Sequence, residues 1–342
     1  MGRGSLPVSH HRKARRLVPK LLNWYRAHAR DLPWRHTEDP YAIWISEIML
    51  QQTQVTTVIP YWKRWMRALP TVQKLARINP ERVLKLWEGL GYYSRARNLQ
   101  TAAQKIVTEH GGIFPEDPKI MRKLPGIGRY TAGAISSIAF DQPEPIVDGN
   151  VVRILTRIFG IRENPKNKKT QEELWELAQT MVSASEDCAV LNQSIMELGA
   201  TVCHPRHPEC DNCPVNRSCT AKREQITHLI PAMGKPTQYE EKQIEVYVLA
   251  RNGDLLLQQR PEGFTNAGFW ELPNNETGPS LPLPRNTQAI ATVRHNITKY
   301  RIKLNAYAVK PGGTEGKWCN SSDMRKLPIT ASHRKLIKAL AR

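Results

Sequence analysis

No apolar run in this 342-residue chain approaches the roughly 20 residues that a membrane-spanning helix needs. The first 20 residues are basic but carry neither an apolar core nor a small-residue cleavage site, so they do not read as a secretory signal. A mitochondrial presequence fits such a stretch. The plainer expectation is a basic arm over 1–19 leading into the first helix. Internal repeats and low-complexity blocks are absent. Acid is in short supply, 31 Asp and Glu against 50 Lys and Arg, for a formal charge of +19. The excess is present on both sides of residue 240, since the chain from Glu240 onward has 16 basic and nine acidic residues. A polyanion is the natural partner, although charge alone does not separate DNA from RNA or an acidic membrane. Cysteine is scarce too, with six in all, yet Cys203, Cys210, Cys213 and Cys219 fall within 17 residues. Without an export signal, a reducing compartment and a metal site explain that cluster better than disulfides do.

What is present is mostly helix. From about residue 15 to 202, apolar residues recur at three- and four-residue spacing, as in Ile43-Trp44-Ile48-Met49 and Val83-Leu84-Leu86-Trp87. Breaks are expected at Pro60, Pro70, Pro80, Gly111-Gly112, Pro115, Pro118 and Pro143–Pro145. After Cys219 the character changes. Residues 222–240 mix Lys, Pro, Gly and Gln, as linkers do. Ile244–Ala250 reads as a strand, followed by the hairpin signal Asn252-Gly253 and by Leu255-Leu256-Leu257. Ala291–Leu304 and Ala306–Val309 also favour strand, and Ser332–Ala341 a closing helix.

Four motifs carry chemistry. Leu124-Pro125-Gly126-Ile127-Gly128-Arg129-Tyr130-Thr131-Ala132 places a Gly-x-Gly turn before a helix, where free backbone N–H groups can bind phosphate. Twenty residues beyond Gly128, Asp148 stands in Val147-Asp148-Gly149-Asn150; read alone, it is an ordinary helix N-cap. The cysteine spacing C-x6-C-x2-C-x5-C suits either tetrahedral zinc or a [4Fe–4S] cluster. Finally, Glu47 lies in Trp44-Ile45-Ser46-Glu47-Ile48-Met49-Leu50-Gln51-Gln52-Thr53. If buried there, its pKa would rise and suit it to give a proton. If it faces solvent beside the Gln run, it has no such role.

Taken together these motifs resemble the helix-hairpin-helix DNA glycosylases. The segments Arg30-Asp31-Leu32-Pro33-Trp34-Arg35, Ser46–Val55 and Gly89–Asn98 closely resemble the MutY family of adenine DNA glycosylases, over about residues 20–225. The resemblance implies an all-α glycosylase domain whose four cysteines hold a [4Fe–4S] cluster on a loop spanning 203–219. Arg206, His207, Arg217, Lys222 and Arg223 around that loop are expected to touch DNA phosphate. It implies Glu47 as the general acid toward adenine and Asp148 as the stabiliser of the sugar cation. Gln52 and Tyr92 become wedges in the base stack, Arg30, Trp34 and Glu197 the walls of the adenine pocket, and Arg35 a further substrate- or DNA-binding residue. Gly126, Gly128 and Asn150 would serve DNA binding. Relatives that also cut the backbone carry a Schiff-base Lys where this chain has Tyr130, so a monofunctional enzyme is expected, with Tyr130 bonded to an active-site carboxylate or orienting water. The implied substrate is double-stranded DNA with adenine opposite 8-oxoguanine or guanine. A monomer is expected, in the bacterial cytoplasm at the nucleoid, or in the nucleus or mitochondrion of a eukaryote.

Residues 241–342, after a linker over 226–240, resemble a smaller α+β Nudix-like domain through Leu255–Pro261 and Gly268–Pro273. Nudix hydrolases hold magnesium on a Glu-rich helix, whereas Asn274–Val293 here has Glu276 as its one acid, so pyrophosphatase activity is not expected. In MutY relatives this domain reads 8-oxoguanine with Phe-Ser-His. The corresponding residues here are Ile297-Thr298-Lys299, which assigns base reading to Thr298 and phosphate contact to Lys299. Cys188 and Cys319 are expected to be inert thiols.

Overall fold

The computed structural model describes residues 6–232, 234, 238–283, 287–310 and 312–341. The helices before the first strand are α1 (Val8–His28), α2 (Pro40–Leu50), α3 (Val55–Ala68), α4 (Val72–Arg77), α5 (Pro80–Trp87), α6 (Ser94–Glu109), α7 (Pro118–Met121), α8 (Arg129–Phe140), α9 (Gly149–Phe159), α10 (Lys168–Val182), α11 (Cys188–Thr201) and α12 (Thr220–Arg223). The chain then runs through β1 (Glu240–Val248), β2 (Ala250–Arg251), β3 (Asp254–Gln259), β4 (Trp270–Glu271), β5 (Ala291–Ile297), β6 (Tyr300–Ala308) and β7 (Lys317–Cys319). It closes with α13 (Ser321–Lys326) and α14 (Ala331–Leu340).

Local chemistry sets the helix starts. Pro40, Pro80 and Pro118 each occupy the first turn, where a missing N–H costs nothing. Asp39, Asn79 and Asp117 precede them and accept the N–H groups of Tyr41, Glu81 and Lys119. Pro60 is not the expected break, because it lies inside α3. The carbonyl its N–H would have engaged belongs to exposed Thr56, near the helix start, where water can take over. The basic stretch expected as an arm is likewise helical from Val8, and it buries Ala14, Leu17 and Val18; residues 1–5 lie outside the described residues.

Two compact units form, one from residues 1–73 with 102–235, the other from 74–101 with 236–342. In the first, α1, α9, α10 and α11 enclose a core that includes Leu17, Leu21, Ile154, Leu174, Leu191 and Ile195. Helix α2 packs on α3 and α8, and Tyr41 to Met49 are all buried.

In the second unit β1 and β6 run parallel with β5 antiparallel on the far edge, while β3 pairs with β2, β4 and β7. Ile244, Val246, Leu257, Leu272, Leu304 and Leu336 form its core. Asn252-Gly253 makes the expected hairpin turn between β2 and β3, with both residues at positive φ. The stretch expected as one strand from Ala291 to Leu304 is instead a hairpin, β5 to β6, turning at Thr298-Lys299. Alternating side chains continue across a two-residue turn, so periodicity alone did not mark it.

The expected single helical domain over 20–225 is also divided differently. Residues 74–101 belong to the second unit, where Trp270 Nε1 donates to Glu81, Arg334 to Glu88 and Arg97 to the Ala267 carbonyl at 2.9 Å. The Tyr93 and Phe269 rings meet at 4.1 Å. Helical periodicity marks an apolar face without saying which core receives it. Part of the expected linker is built in as well, since Ile230 is buried at 2% exposure and Glu240 already begins β1. Residues 233 and 235–237 of that linker lie outside the described residues.

Candidate active site

A cleft of about 530 Å³ in the helical unit is lined by Arg30, Trp34, Arg35, Glu47, Gln52, Tyr130, Asp148, Asn150 and Glu197 among others. These residues come from five separate parts of the chain, and the fold gathers them.

Glu47 sits on α2 at 5% exposure. Burial pushes its carboxyl up to about 7; the Tyr130 hydroxyl, donating to Oε2 at 2.6 Å, partly opposes this, and nearby Asp148 adds to it. The bond uses one oxygen of Glu47 and leaves Oε1 available to carry a proton. The Tyr130 hydroxyl also lies 3.4 Å from Met196 Sδ, and its ring packs against the core, so packing and hydrogen bonding coexist.

Asp148 is both the N-cap of α9 and a wall of the cleft. Its Oδ1 accepts the Val151 N–H at 2.7 Å and its Oδ2 the Asn150 amide at 3.1 Å. Burial raises its pKa, while these donors oppose the rise and favour the anion. Asn150 in turn accepts from Arg153 at 2.7 Å, and Arg153 Nε donates to the Cys203 carbonyl at 2.7 Å. A continuous chain of hydrogen bonds therefore joins Asp148 to the first cysteine of the loop. Gly199 makes room for it, because a Cβ there would stand 2.6 Å from the Cβ of Asn150. Neither Arg153 nor Gly199 stood out in the sequence, since Arg and Gly in helices have many ordinary uses.

Glu197, at 1% exposure, behaves oppositely to Glu47. Burial alone would raise it, but Arg30 and Arg35 outweigh burial and bring it down to about 2. Arg30 donates from its backbone N–H and Nε to Oε1 (3.0 and 2.7 Å) and from Nη2 to Oε2 (2.8 Å); Arg35 Nη2 also reaches Oε2 (2.7 Å). With its acceptor positions filled, Glu197 anchors two arginines beside Trp34, whose ring meets Trp62 edge-on at 6.1 Å.

Gly126 takes φ +78°, a left-handed turn residue ahead of α8, and Gly128 is the N-cap of that helix with no side-chain cap. Gln52 and Tyr92, the expected wedges, both have positive φ and are exposed; Gln52 lines the cleft and Tyr92 lies in the other unit. In the second unit, Thr298 also has positive φ, and its hydroxyl donates to the Ile297 carbonyl at 2.7 Å. The ammonium of Lys299, expected to meet phosphate, is paired with exposed Glu240 at 2.5 Å and lies over the Tyr300 ring.

Cys203, Cys210, Cys213 and Cys219 are free thiols around one cavity walled by Ile154, Leu198, Val202 and Val215. Burial pushes Cys213 up to about 12 and raises Cys210 and Cys219. Among the described residues, no three or more His, Cys, Asp or Glu side chains close in as one metal ion would hold them. Four soft sulfur donors converging on an apolar cavity fit a centre that several thiolates share. Cys188 and Cys319 are buried and free. Among the described residues no helix is long and apolar enough to cross a membrane.

Two family models match, the HhH-GPD superfamily of base excision DNA repair proteins over residues 45–180 and the NUDIX domain over 245–339. An adenine DNA glycosylase of Rattus norvegicus is 50% identical over 210 residues, covering 59% of this chain and 40% of that protein. One from Buchnera aphidicola subsp. Schizaphis graminum is 38% identical over 258 residues, covering 75% and 74%. The chain spans about half the length of the first curated relatives it matches. Among solved structures, a thermostable thymine-DNA glycosylase matches with TM-score 0.58 and 30% identity, over 63% of this chain and 99% of that one. Endonuclease III in a non-covalent DNA complex shares the fold, with TM-score 0.54 and 20% identity over 65% and 99%.

Proposed function

Because the chain belongs to the adenine DNA glycosylases of the helix-hairpin-helix base excision repair superfamily, we propose that it hydrolyses the N-glycosidic bond of adenine paired with 8-oxoguanine or guanine in double-stranded DNA. The observation that carries this reading is the pairing of Glu47 and Asp148 in one cleft, the first raised to about 7 by burial, the second held by N–H donors at a helix start.

The target base is inside a duplex and must be turned out of the stack, with Gln52 at the rim of the cleft filling the gap. Glu47 protonates a ring nitrogen of adenine from Oε1 while Tyr130 holds Oε2. Asp148, as the anion, stabilises the positive charge that develops on the sugar, and water completes the hydrolysis. The Glu197–Arg30–Arg35 cluster fixes one wall of the base pocket. The Gly126–Gly128 turn and the α8 N-terminus take the phosphate backbone. Cys203, Cys210, Cys213 and Cys219 would hold a [4Fe–4S] cluster, which when bound gives the DNA-facing loop its shape; hydrolysis moves no electron. The protein acts as a monomer wherever its DNA is, bacterial nucleoid or eukaryotic nucleus or mitochondrion.

Duplexes with A opposite 8-oxoguanine, A opposite G and T opposite G, treated with alkali after incubation, test the assignment. Abasic sites at the two adenine mispairs are expected. Cleavage confined to T opposite G would replace the reading with thymine removal, which the 30%-identical thymine-DNA glycosylase favours. Monofunctionality has its own readout. Wild type should not trap on DNA with borohydride, and Tyr130→Lys should, because it sets an amine near the sugar.

A further inference from the structure

We propose that Arg157 is the built-in counter-cation of the four-cysteine site, holding the negative charge of its thiolates and tying the two ends of the loop to α9; this rests on the cysteine-cluster reading above. Three arginines of the described residues are buried, and the other two are compensated visibly. Arg260 bonds Glu271 and Glu276, and Arg95 lies over the Trp87 and Tyr92 rings. Arg157, at 2% exposure, is different. Its Nε donates to the Ile230 carbonyl at 2.9 Å, its Nη1 to the His204 carbonyl at 2.7 Å and Cys203 Sγ at 3.3 Å, and its Nη2 to the Pro205 carbonyl at 2.7 Å. Among the described residues no carboxylate makes an ion pair with it.

A guanidinium stays protonated, so burial cannot neutralise it as it would a lysine. Three carbonyl dipoles solvate it without cancelling its charge. Its one sulfur contact is Cys203 Sγ, and Arg157 lines the same cavity as the other three cysteines. Four thiolates outweigh the charge of the metal core they bind, so the loaded site is a net anion in an apolar wall. Such a centre and a buried, unpaired cation are complementary. The contacts also span the loop, since Cys203 to Pro205 lie at its start and Ile230 follows its end. Arg153, one turn earlier on α9, holds the Cys203 carbonyl. Helix α9 therefore grips Cys203 by backbone and sulfur at once.

The test compares wild type with Arg157→Met and Arg157→Lys as purified, metal-loaded proteins. The measurements are metal per chain before and after a timed chelator challenge and, for iron-loaded protein, the one-electron reduction potential at an electrode. Arg157→Met should retain metal about tenfold less well, the scale seen when an outer-shell partner of a metal site is lost. Its potential should move to more negative values, because reduction adds negative charge beside a cation that is gone. Arg157→Lys should recover most of the potential while recovering retention only in part, for want of the forked donors. Arg157→Gln, which keeps an amide donor without the charge, replaces the Met variant if that one is insoluble. Unchanged retention and potential in the uncharged variant would overturn the proposal. Equal losses in the Lys and uncharged variants with an unmoved potential would also overturn it, in favour of a purely hydrogen-bonding role. Wild-type metal identity separately decides the cluster reading: zinc in place of iron ends that reading, and metal retention then tests Arg157 by itself.

Discussion

Glu47 in the helical unit and Glu271 in the C-terminal unit are both buried almost completely, and their surroundings treat them in opposite ways. In the helical unit Glu47 has a phenol donor but no bonded cation, and burial raises its pKa to about 7. In the C-terminal unit Glu271, at 1% exposure, accepts from Arg260 at 2.5 Å, from Asn274 at 2.9 Å and from Thr277 at 2.7 Å, with His333 Nε2 at 3.5 Å. A buried carboxyl left uncompensated is an acid in waiting, whereas one fully bonded to donors is scaffold. The Nudix-like unit ties these acids to structure: Arg260 bonds both Glu271 and Glu276, and the sequence has no further acidic residue before Glu315.

The sharpest way to break this contrast is to remove charge or proton from the cleft. Glu47→Gln and Asp148→Asn should each slow single-turnover base removal by roughly 10²–10⁴-fold while DNA binding persists, as expected for a positioned acid and an electrostatic stabiliser. Near-normal turnover in either variant would take that residue out of the mechanism. Wild-type turnover should also fall as pH rises through about 7, where Glu47 loses its proton, and Glu47→Gln should lack that limb.

The same operation in the C-terminal unit should unfold rather than inactivate. Arg260→Met leaves Glu271 without its guanidinium partner and Glu276 with Lys242 alone, and should cost about 3–5 kcal/mol of that unit's stability, the scale for breaking a buried ion pair. Native-state amide hydrogen exchange read on β3 and β4 would measure it, and a loss under about 1 kcal/mol would contradict the scaffold role.

Acid should separate the units next. His333 is buried and brought down to about 4, mainly by desolvation, and its Nδ1 accepts the Leu272 N–H at 3.0 Å, a bond that protonation would destroy. Its folded pKa lies below the unfolded value of 6.5, so the unfolded chain binds more protons between the two. The neutral-imidazole stability is therefore intact above about pH 6.5 and declines as pH falls toward 4, by about 3 kcal/mol in all. His333→Gln, which can accept the same N–H, should flatten this slope; an equally steep slope in the variant would assign the acid sensitivity elsewhere.

The smallest effect concerns base reading. Thr298, a β-branched residue at positive φ on the β5–β6 turn, keeps acceptor capacity although its hydroxyl donates to Ile297. Thr298→Ala should weaken binding by about 1 kcal/mol for 8-oxoguanine duplexes alone. Equal weakening on guanine duplexes would show that the turn does not read the oxidised base.

Much of this protein follows from local sequence. Proline and Asp/Asn pairs start α2, α5 and α7, Asn252-Gly253 turns a hairpin, and Ser332–Ala341 nearly coincides with α14, because capping, turn geometry and periodicity act over a few residues. The cysteine spacing and the hairpin glycines are likewise visible as words in the chain. Only the tertiary structure decided which face of α2 water would reach, and from Tyr41 to Met49 it left none, so Glu47 became buried although its sequence neighbours suit either environment. It also decided that 74–101 joins the C-terminal unit, that Glu197 is saturated by Arg30 and Arg35 from more than 160 residues away, and that Arg157 meets Cys203 Sγ. Burial and charge pairing depend on atoms brought from distant segments, and no short window of sequence contains them.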